Sequence, residues 1–428
     1  MHMTKSQQKA ETMKGKILEE AKELGDTKVT VLALHEAWAP VNGWTILPIL
    51  EHLYDTYQKD NQWVYFCEET TEIHLERLLE VLSRFNPQEK QFLGHSLHDH
   101  SPSIIHNLVF YADPTVFKFP DFDAGWAVSM ELIKDAVRRL LADQLQMDFS
   151  IDIKHEVAMF FYQDGKGTNL THVPEFCINE PLEGSKCAST INYVVPDCGI
   201  TDADDILVSV KTCNKYHNDR IPIVKKTIGL HAKHIRYYSD VADENIPTEF
   251  IGVNNTETGH CQKLQNIISR FQDEEWSGKK WLVIIDDDTI MNFKRLQIML
   301  SCYDPEVPLL IGERYGYGIN YKNWGYSFPT GGGGMIMSKM AVKKLRDHRC
   351  PCHSVNAPDD MWLGGCFCRM GIPMIHTNSF HQTQPKHYNK QFLSHRYLVS
   401  FHKHFPQDPM KIYQDYLSDD EMGVKNEL

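Results

Sequence analysis

The sequence has no run of about 18 consecutive apolar residues, the least a helix needs to cross a bilayer, so no membrane span is expected within its 428 residues. It also lacks a basic excess. Its 44 Lys and Arg stand against 57 Asp and Glu, a net charge of −13. A protein that neutralises phosphates along a nucleic acid needs the opposite balance, so nucleic acid is excluded as a partner. A small nucleotide-bound substrate is not, because a metal ion can carry the positive charge. The opening stretch KSQQKAETMKGKILEEAKELG (5–25) has no apolar centre, so it reads as a polar helical segment and not as a signal peptide. Cysteine is almost absent from the first third: Cys67 stands alone before Cys177. The pairs Cys350-x-Cys352 and Cys366-x-Cys368 lack the C-x-x-C spacing of a zinc knuckle. Disulfides in an oxidising compartment are expected instead, and the odd total of 11 leaves at least one thiol over.

Other features agree with a lumenal setting. Asn169-Leu170-Thr171 and Asn254-Asn255-Thr256 are glycosylation sequons. The last four residues, Lys425-Asn426-Glu427-Leu428, are close to the KDEL signal that retains soluble proteins in the endoplasmic reticulum lumen. That reading expects a leader to have preceded residue 1.

What is present is a duplication. WVYFCEETTEI (63–73) and WLVIIDDDTIM (281–291) are versions of one design at a constant separation, which also matches Arg77-Leu78 with Arg295-Leu296, Pro87 with Pro305 and Gly94 with Gly312. With gaps, 123–133 matches 332–342, Asp152 matches Asp360, and Phe176-Cys177 matches Phe380-His381. Each half alternates short apolar runs with amphipathic stretches. VTVLAL (29–34) and ILVSV (206–210) are expected to open the halves as strands, and WVYF and WLVII to lie centrally. LERLLEVLSRF and FKRLQIMLSCY follow as helices. The fold class is α/β, with two tandem doubly wound, Rossmann-like domains divided within 178–205, where ligands gather at the carboxyl ends of strands.

The chemistry concentrates after WLVII. Asp286-Asp287-Asp288 places three carboxylates where a buried strand ends, an arrangement that repels itself unless a cation relieves it. Residues two apart on a strand face the same way, so Asp286 and Asp288 are expected to meet one ligand. Oxygen ligands favour Mg²⁺ or Mn²⁺, which can bridge to a diphosphate leaving group. The run Thr330-Gly331-Gly332-Gly333-Gly334 lets backbone approach a ligand closely, and no Walker GK[ST] follows it. Ala357-Pro358-Asp359-Asp360 supplies a second carboxylate pair leading into a helix, and His381 follows the apolar strand GIPMI. A solvated acidic turn, an N-cap and a structural histidine are the plainer alternatives for these three.

Taken in order and spacing, WLVIIDDDT, FPTGGGGMIMS, APDDMWLG and SFHQ resemble the fringe-like inverting glycosyltransferases of GT-A type, and VKTCNKYHNDRIPIVKKTI (210–228) resembles their nucleotide-binding opening. ERYGYGINY and VSFHKHF resemble the members of that family that add β1,3-linked glucose to O-linked fucose on thrombospondin type 1 repeats. The resemblance implies Mn²⁺, with Mg²⁺ as the alternative, and UDP-glucose as donor. It implies Asp288 and His381 as metal ligands with Asp286, and Asp360 as catalytic base. Donor contacts would come from Thr212, Arg220, Asp240, Asp286, Asp287, Gly332, Gly333 and Gly334. Acceptor contacts would come from Glu313, Arg314, Tyr315 and Asp359. The implied partner is a folded thrombospondin repeat bearing O-fucose. Transfer of GlcNAc or galactose, a binding or folding role toward such repeats, and a metal-dependent phosphohydrolase are the rival readings.

The resemblance also casts the first half as a worn copy. Thr70 stands where Asp288 would be, Cys177 where His381 would be, and Ala124-Gly125-Trp126 replaces the glycine run. The expected organisation is therefore a polar helical segment (1–24), a non-catalytic fringe-like domain (25–185), a linker (186–205), a catalytic domain (206–415) and an acidic tail (416–428).

Overall fold

A computed structural model describes residues 5–25, 28–37, 46–178, 186–192, 195–276, 278–320, 323–403 and 406–418. The tail residues Lys425 to Leu428 lie outside the described residues. The chain divides into two compact units. One takes Met1–Val194 with Gly316–Gly325 and Lys386–His395, and the other takes Val195–Tyr315, Tyr326–Pro385 and Arg396–Leu428. No described helix is long and apolar enough to cross a membrane.

The first unit contains strands β1 (Trp63–Phe66), β2 (Thr71–Ile73), β3 (Phe92–Gly94), β4 (Trp126–Ser129), β5 (Thr171–His172), β6 (Phe176–Cys177) and β7 (Ser189–Ile191). One sheet has the order β1-β4-β3-β5, antiparallel at the first two pairings and parallel at the last. A second has the order β2-β7-β6. The helix Leu75–Ser83 buries Leu75, Leu78, Val81 and Leu82, spaced as one helical face, into a core shared with Leu93 and Ala127. The helix Lys5–Glu23 also joins this core through Ile17 and Ala21. The strand expected at 29–34 is absent. Residues 29–33 have no ladder, and Val29 and Val31 pack against the core instead. An alternating apolar run buries its side chains equally well without hydrogen-bonded neighbours, so periodicity alone did not decide the matter.

The second unit contains β8 (Ile206–Lys211), β9 (Ile235–Ser239), β10 (Thr248–Phe250), β11 (Trp281–Asp286), β12 (Thr289–Met291), β13 (Leu310–Gly312), β14 (Met335–Ser338), β15 (Met374–His376) and β16 (Ser400–His402). Its main sheet has the order β10-β9-β8-β11-β14-β13-β15. Alternate residues sort to opposite faces. Val208, Val210, Val283 and Ile285 enter one core, and Leu207, Leu282 and Ile284 enter the other. The sheet is mixed where a parallel one was expected, because β14 runs antiparallel to β11 and β13. A strand covered on both faces is apolar throughout whichever way it runs, so MIMS carries no sign of its direction.

The two units share pairings residue by residue. Trp63 faces Ser129 as Trp281 faces Ser338, Phe92 faces Val128 as Leu310 faces Met337, and Gly94 faces His172 as Gly312 faces His376. Ser129 and Ser338 each cap the helix that follows. Thr71 donates to the Asp123 carbonyl as Thr289 does to that of Gly332. Ser189 donates to the Ala124 carbonyl as Ser400 does to that of Gly333. The units differ on the far side of the first strand. β1 is a sheet edge, whereas β11 continues into β8, β9 and β10.

The four disulfides are Cys177–Cys187, Cys198–Cys302, Cys261–Cys352 and Cys350–Cys366, and Cys67, Cys213 and Cys368 take part in none of them. Cys350, Cys352 and Cys366 are thus joined to protein sulfur, as expected, whereas Cys368 is not. Asn169 and Asn254 are both exposed.

The first unit also buries a charged group. His106 Nδ1 lies 2.7 Å from Asp99 Oδ2 and Nε2 lies 3.2 Å from Asp152 Oδ2, while Lys154 Nζ is 2.8 Å from Asp152 Oδ1. Burial works to lower the His106 pKa, but the two carboxylates outweigh it and push it up to about 9. The stabilisation is therefore fully present below the unfolded value of about 6.5 and is lost as pH rises through about 9. His106→Leu leaves Asp99 without this cation and Asp152 with Lys154 alone, a loss of up to roughly 3–5 kcal/mol. The variant is expected to melt well below the parent at pH 7, with the gap narrowing above pH 9. Thermal denaturation at both pH values checks this, and equal melting at pH 7 would exclude it.

Candidate active site

The acidic triplet straddles the end of β11. Asp286 is the last strand residue, and Asp287 and Asp288 form the turn into β12. The three carboxylates divide. Asp287 is buried, accepting from Thr212 Oγ1 at 2.7 Å and from Arg220 Nη1 at 2.7 Å. Burial pushes its pKa up to about 6, against the pull of those two donors. Arg220 also reaches Asp288 Oδ2 at 3.0 Å, and its guanidinium stacks 3.7 Å over the Tyr216 ring. Asp240 Oδ1 accepts from the Asn214 amide at 2.8 Å, beside this group along the chain. Thr212, Arg220 and Asp287 are therefore brought together.

Asp286 and Asp288 turn toward a different partner. His402 Nε2 lies 2.8 Å from Asp288 Oδ1 and 3.8 Å from Asp286 Oδ2. Its Nδ1 is 2.9 Å from the Gln382 carbonyl, which can only accept, so that nitrogen carries the proton and Nε2 is presented to the carboxylates. One ligand atom from each of Asp286, Asp288 and His402 lies within 4.8 Å of the others, a spacing that suits a metal ion. Burial works against charge on His402, but Asp288 and Asp286 outweigh it and raise its pKa.

His381, the histidine singled out in the sequence, does not join that group among the described residues. It is buried, with Nδ1 3.1 Å from the Ser400 carbonyl and its ring stacked on Phe401. His402 lies within the quoted VSFHKHF but carried no spacing signal. It arrives because β16 pairs antiparallel with β12, setting His402 opposite Thr289. Its counterpart in the first unit is Ile191, opposite Thr71.

The glycine run is shaped around this histidine. A methyl on Gly332 would fall 2.1 Å from His402 Nδ1, and Gly334 has φ +112°, where side chains are strained. A methyl on Gly333 would fall 2.9 Å from Thr330 Oγ1. Gly331 alone in the run would meet only ordinary contacts. A methyl there would sit 3.7 Å from Lys211 Nζ, 3.9 Å from Asp360 Oδ2 and 4.0 Å from Asp286 Oδ2.

Asp359 and Asp360 begin the helix Asp359–Arg369. Asp360 accepts from the Met361 amide at 2.7 Å and the Gly331 amide at 3.4 Å. Burial, reinforced by the Asp359 charge, pushes its pKa up to about 6. Asp359, expected among acceptor contacts, is buried against Lys211. Burial would raise it, but the ammonium outweighs that and holds it below its ordinary value. Glu313 Oε2 accepts from the Gln382 amide at 2.5 Å, the Arg314 amide lies 3.1 Å from His376 Nδ1, and Tyr315 packs edge-on against Phe328. These three stand together at the end of β13 and on the strand that follows.

In the first unit, Thr70 donates to Asp123 Oδ1 at 3.0 Å, and Cys177 is consumed by its disulfide. The geometry predicts one divalent cation per chain. Calorimetric titration with Mn²⁺ is expected to show unit stoichiometry, with affinity at least about tenfold weaker in Asp288→Asn and His402→Ala and unchanged in Thr70→Ala. A second site per chain, or parental affinity in His402→Ala, would contradict it.

Comparison with known proteins agrees with this geometry. The Fringe-like family pattern matches residues 201–421. The chain is 46% identical to human beta-1,3-glucosyltransferase over 96% of its own length and 82% of that protein, and 45% identical to the mouse protein over 96% and 84%. Zebrafish (Danio rerio) beta-1,3-N-acetylglucosaminyltransferase lunatic fringe is 26% identical over 42% of the chain and 54% of its own length. A likeness of that extent, running through both units, makes the chain a member of the fringe-like glycosyltransferases, in the group of the human and mouse beta-1,3-glucosyltransferases.

Proposed function

We propose that this protein is an inverting, metal-dependent glucosyltransferase that moves glucose from UDP-glucose to the 3-hydroxyl of fucose O-linked to folded thrombospondin type 1 repeats. The similarity to beta-1,3-glucosyltransferases, over 96% of the chain, supports the sugar and the linkage. The observation that carries the chemistry is the convergence at Gly331, where the Asp360 carboxylate and the Asp286 end of the acidic triplet both come within about 4 Å of a methyl placed on the glycine.

Asp360 is the base. With its pKa pushed up to about 6, it is ionised at neutral pH yet basic enough to take a proton in the transition state. It accepts the hydrogen of the fucose 3-hydroxyl while that oxygen forms its bond to C1 of glucose. The bond from C1 to the diphosphate breaks on the opposite face, UDP leaves with the electron pair, and the α-linkage becomes β. No second nucleophilic carboxylate is needed. Thr212, Arg220, Asp240 and Asp287 hold the nucleotide end. Asp286, Asp288 and His402 hold the cation, and one imidazole among oxygen ligands favours Mn²⁺ over Mg²⁺. When bound, that cation offsets the charge on the departing diphosphate. Glu313, Arg314 and Tyr315 are assigned to the acceptor side. The four disulfides support an oxidising lumen, here the endoplasmic reticulum.

The first unit, with Thr70, Cys177 and Ile191 at the positions corresponding to Asp288, His381 and His402, is assigned no catalysis. Its role is to brace the second unit or grip the acceptor protein.

The test offers UDP-glucose and UDP-GlcNAc separately, with Mn²⁺, to a folded thrombospondin repeat bearing O-fucose. A mass gain of one hexose is expected from UDP-glucose alone. Asp360→Asn should lower kcat by a factor of about 100 or more. Because the base works ionised and faces Asp359 and Lys211, kcat of the parent should fall as pH drops through about 6. Gain from UDP-GlcNAc only would overturn the donor, and a pH-independent rate between 5 and 7 would overturn the base.

A further inference from the structure

Lys211 ends β8 directly beside Asp286 in the parallel register. Its side chain is only 5% exposed, with Nζ 2.9 Å from Asp286 Oδ1 and 2.6 Å from Asp359 Oδ2. One carboxylate ends the strand that presents the acidic triplet. The other opens the helix that carries Asp360. The ammonium would also lie 3.7 Å from a methyl placed on Gly331, beside Asp360 Oδ2. An ammonium has three N–H donors, and these two bonds take up two.

Stability alone is a poor reason for this arrangement. Burying one cation with two carboxylates costs more than apolar packing of the same volume would. The tie depends on β8 lying beside β11. In the first unit, β1, followed by Glu68-Glu69-Thr70, has no neighbour on the corresponding side among the described residues.

We propose that Lys211 is a positioning residue, a strut that fixes the Asp360 helix against the Asp286 strand end so that the base and the donor keep one geometry. This rests on the transferase reading above. Misplacing a catalytic group by about 1 Å costs roughly 100-fold in rate, so a strut of this kind acts on kcat more than on donor affinity.

The experiment uses the full chain as parent, Lys211→Met, Asp359→Asn and the double variant. Lys211→Met is expected to lower kcat by roughly 100-fold with the KM for UDP-glucose changed by less than about threefold. Asp359→Asn should give a smaller fall. The double variant should be no worse than Lys211→Met, because both changes cut the same tie. Amide hydrogen exchange over 359–369 is followed with and without UDP and Mn²⁺. Ligand should slow exchange in the parent and leave it unchanged in the variants. That arm needs no acceptor. A parent that transfers nothing but shows this protection, lost in the variants, would sink the transferase reading and support the strut. Parental kcat in Lys211→Met, a change confined to KM, or effects that add in the double variant would overturn the proposal. So would ligand protection that persists in Asp359→Asn, the variant that decides the matter if Lys211→Met does not fold.

Discussion

Three consecutive carboxylates at the end of a buried strand are the constraint on which the second unit depends. Left alone, Asp286, Asp287 and Asp288 would repel one another. The chain answers with basic side chains from three separate elements: Lys211 from the adjacent strand, Arg220 from the start of a short helix and His402 from a strand near the C-terminus. Each fixes something else. Lys211 requires β8 to lie parallel and in register with β11. His402 requires β16 to return against β12 and requires position 332 to lack a side chain. The charge set thus specifies the path of segments distant in sequence, and the apolar cores on either face of the sheet keep those segments in place.

The first unit shows what the same framework does without that demand. Its strand pairings and its serine and threonine bonds to backbone carbonyls follow those of the second unit, so the scaffold does not depend on the acidic triplet. Where the third carboxylate is replaced, its surroundings differ as well. Thr70 turns to Asp123, Ile191 fills the place of His402, and the strands beyond β1 have no described counterpart. A buried histidine facing a position with no carboxylate would be costly to keep charged, so Asp288 and His402 are a pair that changes together.

Much of the scaffold was legible in the sequence because it follows from local pattern. WVYF, WLVII and ILVSV are strands, and the helices after the first two begin within a residue or two of where their apolar spacing starts. Thr212 and Arg220 were linked to Asp287 only through the family resemblance, because 75 and 67 residues separate them from it. His402 and Lys211 were legible in neither way. Each acquires its role through strand pairing across more than seventy residues, and nothing local separates His402 from His381, which also follows a short strand. The direction of MIMS and the ladder-free state of 29–33 were illegible for a related reason. Both are decided by what lies alongside, which the run itself does not record.

The adjacent pair Asp359 and Asp360 shows how those distant partners become chemistry. Two carboxyls one residue apart at a helix start begin with the same intrinsic acidity. Lys211 faces the first and holds it ionised, and that fixed negative charge then adds to burial in raising the second. Groups driven apart in this way are the usual mark of divided roles, one structural and charged, the other poised to exchange a proton. The helix that carries them is tied at its start by Lys211 and held again by Cys350–Cys366, while Cys261–Cys352 secures the segment that leads to it. Asp360, the proposed base, is held within a rigid framework rather than on a mobile loop, as the proposed single in-line displacement would demand, because proton acceptor, attacking oxygen and departing diphosphate must be aligned at one moment.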